Sequence, residues 1–238
     1  MEKLQGKNVL IAGATGGIGQ EIAKLLHHSG AHIFLTGRNA AKLEILSASL
    51  QLPVTRTFAA DLSIPDEVKQ LSLKYFNEFP TIDILINASG VGIIKPLEEL
   101  TETDFLRSLN YNLYAPFLLL KNFLPAMKES KKGLIINIPG VLGKTPMSGA
   151  AAYSAGKYGL NGMMKSVREE LKRTEIRITN VFLGGTDTPF WDTIDLRVQR
   201  DKFVLAEEAA KSIWFLCQQP SSGVVSELVI QPFNHQAI

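Results

Sequence analysis

The 238-residue chain has a single cysteine, Cys217, which excludes an internal disulfide and any cysteine-rich zinc site. Its four histidines, two of them the neighbours His27 and His28, form no metal-ligand spacing, so no metal is expected. An excess of one charge is also missing. With 25 basic residues against 23 acidic, and no run of like charges, nothing points to a nucleic-acid partner. No stretch reaches the roughly 18 consecutive apolar residues of a membrane span, so no membrane partner is expected. The opening MEKLQGKNVLIAG lacks the long apolar core of a secretion signal. These absences lead us to expect a soluble protein in a reduced compartment, the cytoplasm. No Gly/Ser/Pro-rich linker, low-complexity stretch or tandem repeat interrupts the chain. Residues 1–238 therefore read as one domain, since α/β folds of this size are routinely one unit.

What is present is an alternation. Short, almost continuously apolar runs (residues 8–12, 31–36, 54–59, 82–87, 133–138, 176–183 and 227–231) read as buried strands. Between them lie helical patterns. Residues 17–29 carry Ile18, Ile22, Leu25 and Leu26 before the stop at Gly30. Asn39 caps a helix holding Leu43, Leu46 and Leu50, and Pro65 opens another with Val68, Leu71 and Phe76. Residues 101–129 read as one long helix with a kink at Pro116, residues 150–173 as a second long helix, and 206–219 as the last. Strands alternating with helices predict an α/β fold: a doubly wound, Rossmann-like, mostly parallel seven-stranded sheet with helices on both faces. Residues 184–205 lack periodicity, as a lid or binding loop would.

The first strand runs into Gly13-Ala14-Thr15-Gly16-Gly17-Ile18-Gly19, which opens the first helix. Glycines allow a tight turn and close backbone approach, and a helix N-terminus offers free N–H groups to an anion. At the first strand–helix crossover this is a dinucleotide cradle. No Lys-Ser/Thr pair follows the last glycine, which argues against a phosphate-binding lysine loop. The second strand ends in Thr36-Gly37-Arg38-Asn39, with no carboxylate before Glu44. Nothing there repels a ribose 2′-phosphate, and Arg38 can pair with one through its guanidinium fork. NADP(H) is therefore expected in preference to NAD(H).

The spacing G-x-x-x-G-x-G, carried by Gly13, Gly17 and Gly19, resembles the glycine motif of the short-chain dehydrogenase/reductase family, with Ala12 in place of its threonine. The resemblance extends over nearly the whole chain. It implies an arginine at the place of Arg38 as a mark of NADP preference, and an adenine-contacting pair at Asp61-Leu62. Asn87 and Gly90 match two positions of the family's N-N-A-G, and Gly184, Thr186 and Thr188 lie in a segment similar to its P-G-x-x-x-T, against the nicotinamide and pyrophosphate.

Tyr153 and Lys157 lie four apart on one helix face. A free phenol is a poor base at neutral pH, and a nearby lysine cation, with a positively charged oxidised nicotinamide, favours the phenolate. A tyrosine so tuned exchanges a proton with a carbonyl or alcohol as hydride moves. This Y-x-x-x-K is the strongest family match. Asn112, an unfavourable residue within a helix, resembles the family asparagine that holds a water in a proton relay to the lysine.

One departure stands out. Similar proteins carry a substrate-binding serine 13 residues before the tyrosine, and here that offset falls on Gly140. Losing one donor to the reacting oxygen costs on the order of 100-fold in rate. Ser148 and Ser89 are candidate replacements, as are water and the substrate itself. In the loop that follows, Phe190 and Trp191 either close over a substrate or serve as packing or an oligomer contact. The expected activity is hydride transfer between NADP(H) and a small-molecule carbonyl or secondary alcohol. One rival is a cofactor-binding regulatory or scaffold protein with weak or lost catalysis, and another is epimerisation or dehydration through transient oxidation. The resemblance also implies pairing into a homodimer or homotetramer through the two long helices.

Overall fold

The computed structural model describes residues 2–235. Its elements in chain order are β1 (Asn8–Ala12), α1 (Gly17–His28), β2 (His32–Gly37), α2 (Ala40–Ser49), β3 (Thr57–Ala59), α3 (Pro65–Glu78) and β4 (Ile84–Asn87). These are followed by α4 (Glu102–Leu109), α5 (Ala115–Ser130), β5 (Lys132–Asn137), α6 (Ala151–Glu170) and β6 (Glu175–Leu183). The chain closes with β7 (Thr186–Asp187), β8 (Val204–Leu205), α7 (Ala206–Leu216) and β9 (Glu227–Ile230).

Seven strands form one parallel sheet in the order β3-β2-β1-β4-β5-β6-β9. Side chains alternate across β1 because strand residues point to opposite faces. Val9 and Ile11 pack with Ile22, Leu26 and Ile213 beneath α1 and α7. Leu10 packs with Tyr75, Phe123 and Leu160 beneath α3, α5 and α6. Both faces are covered, so the strands are apolar throughout. The strand order reverses between β1 and β4, and the carboxyl ends there, at Ala12 and Asn87, open the crevice where such sheets bind ligands.

Three expectations need correction. The helix expected over residues 101–129 is not continuous. α4 opens on a capping box, Thr101 Oγ1 accepting from Asp104 N–H at 3.0 Å, but Asn110–Tyr114 form a π turn before α5 begins. The N–H of Ala115 donates to the carbonyl of Asn110, five residues back. Pro116 is the cause: it has no N–H and its ring crowds the carbonyl four residues back, that of Asn112. The irregularity lies upstream of the proline, and it carries Asn112 into full burial. Of the strand expected over residues 54–59, only Thr57–Ala59 pairs. Val54–Arg56 form a 3₁₀ turn started by Pro53, whose carbonyl accepts from Arg56 N–H. Residues 184–205 are also more structured than their pattern suggests, since β7 and β8 pair in parallel at the two ends of the loop and 3₁₀ turns occupy Pro189–Thr193 and Arg200–Lys202.

Candidate active site

Two cavities flank the carboxyl end of β1. One, of about 540 Å³, is lined by Gly13, Arg38, Lys42, Leu62 and Tyr111. The other, of about 860 Å³, is lined by Gly17, Ile18, Tyr153, Lys157, Thr186 and Phe190. Thr15, Gly16 and Gly90 border both.

The turn before α1 is built for an anion. No side chain caps α1, and its first turn holds no acid, so its N–H groups and partial positive charge face the cavities unopposed. Gly13 has φ +78°, and a Cβ there would come within 2.7 Å of the Ala88 backbone. A Cβ on Gly19 would lie 2.1 Å from the Gly13 carbonyl oxygen. These two glycines are therefore required for the turn to close on β4 and on itself. Gly17 is pressed against Thr188, where a Cβ would meet its side chain at 2.7 Å, so the segment after β6 seats directly on the start of α1.

Tyr153 and Lys157 project from the first turns of α6 into the larger cavity, with the Lys157 Nζ 5.5 Å from the Tyr153 ring centre. Lys157 is buried and donates to the Ile138 carbonyl at 3.1 Å. Burial pushes the Tyr153 phenol up and pulls the Lys157 ammonium down to about 8. Desolvation by burial is the cause of both shifts. The raised phenol favours its protonated form at neutral pH.

Asn112 does not border either cavity. Its Nδ2 donates to Val91 O (2.9 Å) and Ser108 Oγ (3.2 Å), and its Oδ1 accepts from Val91 N–H (3.2 Å). A Cβ on Gly90 would lie 2.8 Å from Asn112 Oδ1 and 3.2 Å from Lys157 Nζ, so these three residues converge. Gly156 lets α6 approach, since a Cβ there would meet Asn112 Cβ at 2.8 Å. Asn87 lies beneath the site, donating to Asn137 Oδ1 and accepting from Ser89 Oγ.

At the larger cavity's mouth, the Phe190 ring centre stands 6.0 Å from that of Tyr153, and Trp191 packs between Phe190 and Phe203. Trp191 Nε1 donates to the Thr186 carbonyl at 2.9 Å. Gly184 and Thr188 line the same wall. Arg200 clips the loop: its Nε meets Asp187 and its Nη1 meets Asp192, each at 2.6 Å, and its Nη2 donates to Thr188 O.

Of the expected hydroxyl donors, Ser148 is misplaced. The wall runs through Thr145, Pro146 and Met147, then the chain turns away at Gly149 (φ +74°), whose carbonyl accepts from Lys95 N–H, leaving Ser148 exposed to solvent. Ser89 does border both cavities, but its hydroxyl donates to Asn87 at 2.6 Å. Gly140 lines the cavity with φ +69° and ψ 169°, a conformation essentially reserved for glycine. In the smaller cavity Leu62 forms wall, whereas the Asp61 carboxylate is held behind Tyr111.

Sequence reasoning missed Tyr111, Lys42, Gly92 and the Arg200 clip. Lys42 borders both cavities from the first turn of α2, four positions after Arg38, and that basic spacing was a readable signal. Gly92 lies so close to Phe190 that a Cβ would meet its ring at 2.4 Å, a contact no local pattern announces. Among the described residues no cluster of His, Cys, Asp and Glu is arranged to hold a metal, and no helix is long and apolar enough to cross a membrane.

A family model described as short chain dehydrogenase matches residues 7–198. An uncharacterized oxidoreductase of Staphylococcus epidermidis is 28% identical over 232 residues, covering 98% of this chain and all of its own. The sepiapterin reductase of Chlorobaculum tepidum is 30% identical over 233 residues, covering 94% and 95%. Among solved structures, a metagenomic short-chain oxidoreductase in complex with NADP superposes with a TM-score of 0.83 at 30% identity, covering 97% of this chain and 99% of that one. The chain belongs to the short-chain dehydrogenase/reductase family of oxidoreductases.

Proposed function

We propose that this protein is an NADP(H)-dependent carbonyl reductase or alcohol dehydrogenase, a single catalytic domain working in the cytoplasm as a homodimer or homotetramer. The observation that carries the reading is the Tyr153 side chain, set beside the Lys157 Nζ in a cavity that also borders the uncapped start of α1. The residues present suit a phosphorylated dinucleotide. The uncapped N–H groups at the start of α1, from Gly17 to Gly19, would hold the pyrophosphate, Arg38 and Lys42 supply cations for a 2′-phosphate, and no carboxylate lines the smaller cavity to repel it. The NADP-bound metagenomic relative supports the same choice.

NADPH, when bound, supplies the hydride. Tyr153 donates its proton to the carbonyl oxygen as that oxygen gains charge, or takes it back from the alcohol in the reverse direction. Lys157 stabilises the phenolate left behind, and Asn112 holds Gly90 and Val91 in place on the relay side of the lysine. Phe190 and Trp191 exclude water from the reacting face. The test is turnover of NADPH and of NADH over a panel of ketones and aldehydes. We expect NADPH consumption that Tyr153→Phe lowers by about 10²–10⁴-fold while leaving cofactor binding intact. Activity that is indifferent to Tyr153→Phe overturns the reading.

Gly140 favours a second reading, a cofactor-binding protein with weak or lost catalysis, because the hydroxyl donor expected there is absent and Ser89 is already engaged. NADPH binding without turnover of any carbonyl selects it.

A further inference from the structure

The smaller cavity holds an arrangement that the glycine and tyrosine motifs do not explain. The Arg38 guanidinium lies over the Tyr111 ring, 4.6 Å from its centre. The Tyr111 hydroxyl donates to Asp61 Oδ2 at 2.7 Å, and the other carboxylate oxygen of Asp61 is taken by Ser63, through its N–H (2.9 Å) and hydroxyl (2.6 Å). Arg38, Tyr111 and Leu62 line the same space.

Two consequences follow from the chemistry of these groups. A guanidinium held over a ring keeps N–H donors for a ligand, and those donors can pair bidentately with a phosphate. Among the described residues Arg38 makes no ion pair, although the carboxylate of Asp61 is near enough to feel its charge. Tyr111 and Ser63 together occupy both oxygens of Asp61, so the acid closest to Arg38 is engaged elsewhere. A leucine or threonine at residue 111 would leave the arginine stem unsupported and one oxygen of Asp61 open to capture the guanidinium.

We propose that Tyr111 is a positioning residue for Arg38, and that by holding the guanidinium edge outward it sets the preference for a ribose 2′-phosphate. The assignment rests on the NADP(H) reading above and adds to it a residue outside the motifs, brought to the site by a contact spanning 50 positions.

The probes are adenosine 2′,5′-bisphosphate and adenosine 5′-monophosphate, titrated calorimetrically, because they differ only in the group that Arg38 would read. Tyr111→Leu should weaken the bisphosphate by about three- to thirty-fold, the range of a lost cation–π support, and leave the monophosphate within about two-fold. Tyr111→Phe keeps the ring and frees Asp61, so it should lose part of the same selectivity. In an Arg38→Leu background, Tyr111→Leu should change the ratio of the two affinities no further. Equal weakening of both probes by Tyr111→Leu overturns the assignment, since the ring then only stacks on adenine. Unchanged affinities in Tyr111→Leu and Tyr111→Phe overturn it too. Should Tyr111→Leu fail to fold, as thermal melting would show, the near-isosteric Tyr111→Phe decides alone. Wild-type protein that binds both probes equally overturns the NADP(H) reading itself. A wild-type preference that survives both Tyr111 variants overturns only the role of Tyr111.

Discussion

The carboxamide of Asn112 clamps the backbone of Val91 from both sides, donating from Nδ2 to its carbonyl at 2.9 Å and accepting its N–H at 3.2 Å on Oδ1. Gly90, the neighbour of that clamped peptide, borders both cavities. The side chain therefore shapes the floor of the site from behind.

Removing the clamp should loosen the site and the fold together. Asn112→Ala leaves the N–H and C=O of Val91 unpaired, at a cost of about 1–3 kcal/mol. In a chain of this size that lowers the melting temperature by roughly 2–10 °C. We also expect weaker cofactor binding, because Gly90 loses its fixed position against Asn112 and Lys157. Calorimetric melting and cofactor titration on the same sample check both. A variant that loses turnover with unchanged melting and unchanged cofactor affinity would show that Asn112 acts on the reaction and not on the loop.

The pH dependence follows from Lys157. Burial lowers its ammonium to about 8, whereas the unfolded chain keeps that proton to its ordinary 10.5. Between those values the unfolded state binds more protons than the folded state, so stability rises with pH through this window. The cost of burying the charge is present in full below about 8. Carbonyl reduction should show the opposite trend, falling as pH rises through about 8, where the ammonium that steadies the Tyr153 phenolate is lost. The check is melting temperature and rate from pH 7 to 10.5, with Lys157→Met expected to remove the stability slope. A reduction rate flat across this range would exclude the ammonium from the reaction.

Legibility in the sequence tracked the span of the interactions. The apolar runs announce the strands because parallel strands covered on both faces have no polar side to show. The glycine turn is legible in part for a local reason: Gly19 crowds Gly13 a few residues back and leaves a fixed spacing, although the other demand on Gly13, the Ala88 backbone, lies far along the chain. Tyr153 and Lys157 need only one turn of helix. The π turn at Asn110–Tyr114 is invisible locally because it reflects how Pro116 displaces the hydrogen bonds of the preceding turn, not a propensity of its own residues. Ser148 looked like a hydroxyl donor because it lies in the right loop, but the left-handed turn at Gly149 sends it outward. Tyr111 and Gly92 escaped because their partners, Asp61 and Phe190, lie far away in the chain.

The Arg200 clip should govern the loop and leave the global fold unaffected. Its ion pairs with Asp187 and Asp192 are more than a third exposed, and such pairs contribute little to global stability. They nevertheless tie both ends of the segment that carries Phe190 and Trp191. Arg200→Ala should keep the melting temperature within about 2 °C, in line with surface substitutions, raise KM for the carbonyl, and expose residues 189–203 to limited proteolysis. A fall in melting temperature without a change in KM or cleavage would place the clip in the core stability of the fold.

The glycine at the expected serine position is a built feature of the backbone. A Cβ on Gly140 would meet only the Leu183 carbonyl, at 3.4 Å, so space is not what excludes a side chain. Conformation does: at φ +69° and ψ 169°, a residue with a Cβ incurs about 1–3 kcal/mol of strain. The turn is tied in that state, the Gly140 carbonyl accepting from Gly143 N–H at 3.0 Å and the Gly140 N–H donating to Val181 O at 3.3 Å. Gly140→Ser should therefore destabilise the protein without raising its rate, since a serine forced into this backbone does not present its hydroxyl as the family's serine does. Paired measurement of melting temperature and kcat decides the point. A rate gain of tenfold with unchanged melting would mean that the loop relaxes to readmit the hydroxyl, and the weak-catalysis reading would then rest on the side chain alone.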